Sequence, residues 1–415
     1  MTLRAVLVAI LVLICGPAQA APIVRPVPGT APAAPMTFYV AKGAPNACGP
    51  GCDRWIAVEG QIDSNAAARF QKFLRQVRDR SLPIYFSSPG GNLDQALAMG
   101  AMLRERPVVA RVARTVVKEC GFEAQDSDVC LKLKQSGREL HGDLWTRGAM
   151  CNSACPYLVL GAATREIAPD AVLAVHSPKV VVHFRGGTPS RELRAAATER
   201  GLARAERMLS TYIVRMGADT GLLYLASTIK FEDMHVLTRE QIASFGIDTR
   251  PFPETAWTLE PAVRPFVRKI ALAKKDSGAS FRMLEWRLFC ENRDRARLTF
   301  LRELDQGTAG ASSVIMMAGS EKSVAFGKFP ARVGKYEVWS DTIAPGPMKA
   351  MLAAPRLQMG EGTLTPEGKT NLASFDIDTN GLEPAWTQLL ASCPAAPNSA
   401  KPVIAWPGPG SAPAR

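Results

Sequence analysis

Apolar positions in the first 250 residues follow two alternating rhythms. Trp55-Ile-Ala-Val-Glu-Gly60 is a compact apolar run that predicts a strand. Ser64 is placed to cap a helix reaching about Arg80, with Phe70, Phe73, Leu74 and Val77 on one face. Leu82 to Phe86 predicts a buried strand that ends at Ser87-Ser-Pro-Gly-Gly-Asn92. Leu93, Ala96, Leu97, Gly100, Ala101 and Leu103 then recur at helical spacing, and Val108 to Val112 predicts the next strand. Helices alternating with apolar strands argue for an α/β fold with a largely parallel sheet. Residues 115–148 break the rhythm with a polar stretch holding Cys120 and Cys130, and read as an inserted excursion. The rhythm resumes with Cys151 to Leu160, the strand Ala171 to Val175, and helices at about Ser190 to Met216 and Thr220 to Ser227. This first unit, residues 38–250, closes near Phe245-Gly-Ile-Asp248.

The pattern then changes. Pro251, Pro253, Pro261 and Pro265 predict a linker over residues 251–279. From 280 to 393, short alternating runs such as Ser313 to Met317, Val324 to Gly327 and Tyr336 to Ser340 predict a smaller, mainly β, antiparallel domain. A short helix at about Leu382 to Leu390 would deliver Cys393 to it. Residues 21–37 are rich in Pro and Ala and read as a flexible leader, and residues 394–415 as a disordered tail.

The first twenty residues set the expected compartment. Arg4, the apolar run Val6 to Cys15, the Gly16-Pro17 break and Ala18-Gln19-Ala20 read as a signal peptide over residues 1–20. The run is short for a bilayer span, although an uncleaved anchor is the rival reading. A periplasmic protein with no integral membrane segment after signal removal is therefore expected. The net charge of +12 is spread along 415 residues without a dense basic run, which argues against nucleic acid and for weak attraction to anionic surfaces. Of nine cysteines, eight remain after Cys15 is removed, and an even count in an exported chain predicts disulfides. Spacing suggests Cys48 with Cys52, Cys120 with Cys130, and a long closure between Cys290 and Cys393. Cys151 and Cys155 would pair with each other or stay reduced. The three-residue gaps at 48–52 and 151–155, with the four histidines far away in sequence, argue against zinc, and no metal site is expected.

Three segments could carry chemistry. The Pro-Gly-Gly turn at 89–91 lets a backbone bend sharply and bring bare N–H groups to an oxyanion, although most such turns only reverse the chain. Cys151-Asn-Ser-Ala-Cys155-Pro puts Ser153 where strand gives way to helix, so it is either a nucleophile or a helix cap. His176 directly follows an apolar strand and is placed as a general base or a satisfied structural histidine. His141, His183 and His235 are poorer candidates.

Taken together, the SPGG turn after a strand, Ser-Ala-Cys before small apolar residues, Arg165, and a strand ending in His resemble the Clp protease proteolytic subunit family, within the crotonase superfamily. The resemblance covers about residues 53–248. It implies repeated β-β-α units and a serine peptidase acting on peptides or unfolded segments without a cofactor, with homo-oligomers conceivable. Carried over by position, Ser153 is the nucleophile, His176 the base within hydrogen-bond reach of it, and Asp233 the orienting acid. The N–H groups of Gly91 and Ala154 would form the oxyanion hole. Lys179 is an alternative base, as in Ser-Lys peptidases. The rival class is a silent envelope module that binds peptide in the same cleft. Acyl-CoA chemistry is disfavoured by the export signal.

Overall fold

A computed structural model of the protein describes residues 33–182, 184, 189–275, 280–293, 295–304, 312–318, 322–325, 330–364 and 370–393. The expected signal peptide, residues 21–32 of the leader, His183 and the tail from Pro394 lie outside the described residues.

The N-terminal unit runs β1 (Thr37–Lys42), β2 (Arg54–Glu59), α1 (Ala66–Gln76), β3 (Ile84–Ser87), α2 (Leu93–Arg104), β4 (Val109–Val112), β5 (Arg114–Val117), α3 (Asp128–Lys134), β6 (Leu140–Trp145), β7 (Met150–Asn152), α4 (Cys155–Leu160), β8 (Thr164–Glu166), β9 (Val172–Val175), α5 (Arg191–Arg215), α6 (Gly221–Thr228), β10 (His235–Val236) and α7 (Arg239–Ser244). Seven strands form one sheet in the order β5-β6-β1-β2-β3-β4-β8. Its β1–β6, β2–β3, β3–β4 and β4–β8 pairs are parallel, and β1–β2 and β5–β6 are antiparallel. The near-continuous burial of β2 reflects a strand covered on both faces. The helices obey their periodicity: α1 buries Ala66, Ala67, Phe70 and Leu74, and α2 buries Ala96, Leu97, Met99, Gly100 and Leu103.

A second, small sheet positions the site. It has the order β10-β9-β7, with β7 and β9 parallel and β10 antiparallel to β9. Isolated parallel bridges, Ile62 to Gly91 and Ser88 to Cys151, extend this line of pairing to the chain leaving β2 and β3. Each of those two strands thus hands the chain to the second layer before it enters α1 or α2.

The polar excursion is part of the main sheet. Its strands β5 and β6 add to the β1 edge, and Cys120–Cys130 closes its turn. A buried ionic group anchors it: the Lys134 ammonium lies 2.9 Å from Glu59 Oε2, and the same carboxylate accepts from the Tyr39 hydroxyl at 2.8 Å and the Thr115 N–H at 2.7 Å. The charge that the excursion buries is Lys134, on α3.

The C-terminal unit runs β11 (Thr258–Glu260), β12 (Phe266–Lys274), β13 (Phe281–Asn292), β14 (Arg295–Glu303), β15 (Ser312–Ala318), β16 (Lys322–Ala325), β17 (Ala331–Val333), β18 (Tyr336–Ile343), α8 (Pro345–Ala353), β19 (Arg356–Leu364), β20 (Thr370–Asp378) and α9 (Leu382–Ala391). Two antiparallel sheets, β11-β12-β13-β14-β18-β17 and β16-β15-β19-β20, enclose Trp257, Trp286, Phe300, Trp339 and Trp386. The expected linker over 251–279 is thereby corrected, because β11 and β12 belong to this sheet. The prolines sit beside and between those strands, where a missing N–H costs no ladder bond. Cys290–Cys393 ties β13 to the end of α9.

The three expected cysteine pairs, Cys48–Cys52, Cys120–Cys130 and Cys290–Cys393, are bridged, and of the two alternatives for Cys151 and Cys155 they pair with each other. Four disulfides suit an oxidising, non-cytoplasmic compartment. Among the described residues, no helix is long and apolar enough to cross a membrane.

Candidate active site

Ser153 stands at the end of β7, where the chain reverses into α4. Its φ is +59°, and among the described residues only Asn46 is a second non-glycine with positive φ. Such a conformation persists only when its surroundings impose it. The Ser153 N–H donates to the Ala174 carbonyl on β9 at 2.8 Å. On the other flank, the Ser88 N–H donates to the Met150 carbonyl at 2.7 Å, and the Asn152 N–H to the Ser88 carbonyl at 3.0 Å. Strand β7 therefore delivers Ser153 between two neighbouring segments.

The glycine turn abuts the serine from below. A Cβ on Gly90 would lie 2.5 Å from Ser153 Cβ and 3.1 Å from the Ala154 nitrogen. Gly90 is the residue that residue-type reasoning passed over, since the motif drew notice to Gly91. Buried Ser88 Oγ accepts from the Gly90 N–H at 3.1 Å and fixes the turn. Gly91 has its own constraint, because a Cβ there would run into the Ile62 carbonyl. Among the described residues, neither the Gly91 N–H nor the Ala154 N–H has an acceptor. Helix α4 has only six residues, so oxyanion binding there would rest on these two N–H groups.

His176 follows β9 directly. The parallel register pairs Asn152 with Ala174, so Ser153 and His176 emerge at the same end of adjacent strands. Among the described residues no hydrogen bond joins Ser153 Oγ to the imidazole, contrary to the expected direct contact. The nearest polar partner of His176 Nδ1 is the Ser177 carbonyl, 2.8 Å away. A carbonyl only accepts, so in the neutral ring this contact assigns the proton to Nδ1 and leaves the lone pair on Nε2. That is the tautomer a general base needs.

Asp233 lies in the segment entering β10, whose His235 pairs with Val175, so this segment passes beside His176. The carbonyl of Ser177, not this carboxylate, occupies the orienting position at Nδ1. Phe231 meets the imidazole edge-on, with ring centroids 4.9 Å apart. The Lys179 ammonium rests 5.0 Å over the same Phe231 ring. His235 is buried, with Nε2 2.9 Å from Gln241 Oε1, and His141 pairs with Glu119 at 2.9 Å in the excursion. Arg165 is a structural hub. It donates to the carbonyls of Leu160, Gly246 and Ile247 at 2.9 Å and of Met216 at 3.0 Å, and burial lowers its pKa.

A cavity of about 1120 Å³ opens elsewhere, between the Tyr85-Arg111-Glu166 row of the main sheet and Trp257, Asn380 and Pro384 of the C-terminal unit. Neither Ser153 nor His176 lines it. Among the described residues, no cluster of three or more His, Cys, Asp or Glu is placed to hold a metal ion. Compared with known proteins, the chain matches no family model and no curated relative.

Proposed function

We propose that the protein is an exported serine peptidase of the Clp-protease-like, crotonase-type class, acting on peptides or unfolded segments in the periplasm. One observation carries this reading: a serine forced to positive φ at the end of β7, backed by a glycine turn, with a correctly tautomerised histidine at the same end of the adjacent strand. In the proposed reaction His176 Nε2 takes the Ser153 Oγ proton as Oγ attacks the peptide carbonyl. The N–H groups of Gly91 and Ala154 donate to the developing oxyanion. Imidazolium then returns the proton to the leaving amine, and water, deprotonated by the same nitrogen, releases the acyl group. The second reading, a silent peptide-binding module, is favoured by one observation, the missing Ser153–His176 hydrogen bond.

A fluorophosphonate probe on the purified mature protein separates the two. Wild type labels, Ser153→Ala abolishes labelling with the fold intact, and His176→Ala slows it by about 10²–10⁴, the usual span for general-base loss. A well-folded wild type that does not label removes the peptidase reading and leaves the binding module.

A further inference from the structure

We infer that the Cys151–Cys155 disulfide is a positioning clamp that imposes the left-handed conformation of Ser153. The chain is held on both sides of this residue by other means. Up to Asn152, β7 is fixed by its pairing with β9 and by the Ser88 bridge. From Cys155 onward, α4 fixes it. Between them only Ser153 and Ala154 make the reversal, and the disulfide spans that gap with its Cα atoms 5.1 Å apart.

A second bridge in the same chain shows why a clamp is needed here. Cys48–Cys52 has the same sequence separation of 4 and the same Cα distance of 5.1 Å. Inside that loop, positive φ falls on Gly49 and Gly51, which adopt it without steric cost, as well as on Asn46 just before it. Inside 151–155, positive φ falls on Ser153, whose side chain the proposed reaction requires. Glycine is therefore barred from the one position that would welcome it, and the conformation must be imposed from outside. The disulfide closes around that residue.

Both sulfurs belong to the main hydrophobic core, and both cysteines are 0% exposed. A bond sealed from solvent thiolates does not exchange while the fold is intact. The bridge is a fixed part of the elbow, not a redox switch. Cys151 and Cys155 are positioning residues, since they act only through Ser153.

The test compares Cys151→Ala/Cys155→Ala with Cys48→Ala/Cys52→Ala, which removes a bridge of equal spacing elsewhere. Hydrogen exchange read at the Ser153 amide is independent of any chemistry. It is expected to be about tenfold faster in the first variant and unchanged in the second. Fluorophosphonate labelling, which rests on the peptidase reading, is expected to slow about a hundredfold in the first variant only. That loss should fall on the maximal inactivation rate with little change in the half-saturating probe concentration. Unchanged exchange at Ser153 overturns the clamp, whatever the labelling does. Faster exchange in a protein whose wild type never labels keeps the clamp and removes the peptidase. Should the double alanine variant fail to fold, Cys151→Ala/Cys155→Val restores core volume without the bridge and is read in the same two ways.

Discussion

Gly90→Ala tests whether the glycine turn holds the serine in place. Gly90 has φ +101°, and an added Cβ would lie 2.5 Å from Ser153 Cβ and 2.6 Å from the Asn152 carbonyl oxygen. Two costs follow. An L-residue forced to positive φ loses about 1–2 kcal/mol. Overpacking against a turn pinned on both sides adds about 1–3 kcal/mol. Gly217→Ala supplies the control, because Gly217 also has positive φ, at +71°, but a Cβ there meets nothing within 4 Å. It should carry only the backbone cost of about 1–2 kcal/mol. The difference between the two variants, about 1–3 kcal/mol, is then the contact with the Ser153 elbow. Urea unfolding followed by circular dichroism measures the cost, and fluorophosphonate labelling measures the displacement of Oγ. Gly90→Ala should lose labelling at urea concentrations where it is fully folded, and Gly217→Ala should keep it. Equal destabilisation with unchanged labelling in both would refute the close approach of the turn and Ser153.

Two further outcomes follow from buried charges. Arg165→Met removes four charge-assisted bonds to main-chain carbonyls and strands those acceptors, at a cost of about 3–5 kcal/mol read from urea unfolding; a loss below the scatter of surface substitutions would show that the hub is not structural. Burial pushes the Glu254 carboxyl up to about 7, with Lys269 opposing and Asp378 reinforcing the shift. The folded state therefore holds a proton that the unfolded chain releases, so the stability this group contributes is complete below about pH 4.5 and is lost as pH rises through about 7. Glu254→Gln should flatten the fall in melting temperature over that window, and an unaltered slope would sink the assignment.

Much of the N-terminal unit was legible because period and burial agree there. Helix α2 was bracketed to the residue at its start, since Asn92 caps it by accepting from the Gln95 N–H at 3.0 Å. Helix α1 was read one residue early, because Ser64 and Asn65 are equally good capping types and Asn65 holds the position. Legibility failed where side-chain polarity and location part company. In β12 the charge of Lys269 sits at 0% exposure between Glu254 and Asp378, so the strand lost its apolar signature and the flanking prolines dominated. The same inversion holds at Lys134 of the excursion, which is buried on Glu59 of β2. At the site, Ser153 and His176 were readable as residue types at strand ends. The Ser177 carbonyl was not, since a backbone oxygen leaves no trace in residue identity.

This last point bears on how the site can work. Around Ser153 most of the groups the proposed reaction would use are main-chain atoms: the Ala174 carbonyl that holds the Ser153 N–H, the N–H groups of Gly91 and Ala154, which have no acceptor among the described residues, and the Ser177 carbonyl at His176 Nδ1. Only Oγ and the imidazole are side-chain chemistry. A main-chain carbonyl fixes the histidine tautomer as well as a carboxylate does, but it brings no net charge to stabilise imidazolium. Orientation at Nδ1 is thus supplied by a main-chain carbonyl. In the proposed reaction a rigidly held Ser153 is what lets Oγ meet the carbonyl and the imidazole in one geometry. The closely packed glycine turn and the buried disulfide that brackets the serine both serve that end, and they act on the backbone, where this site keeps most of its machinery.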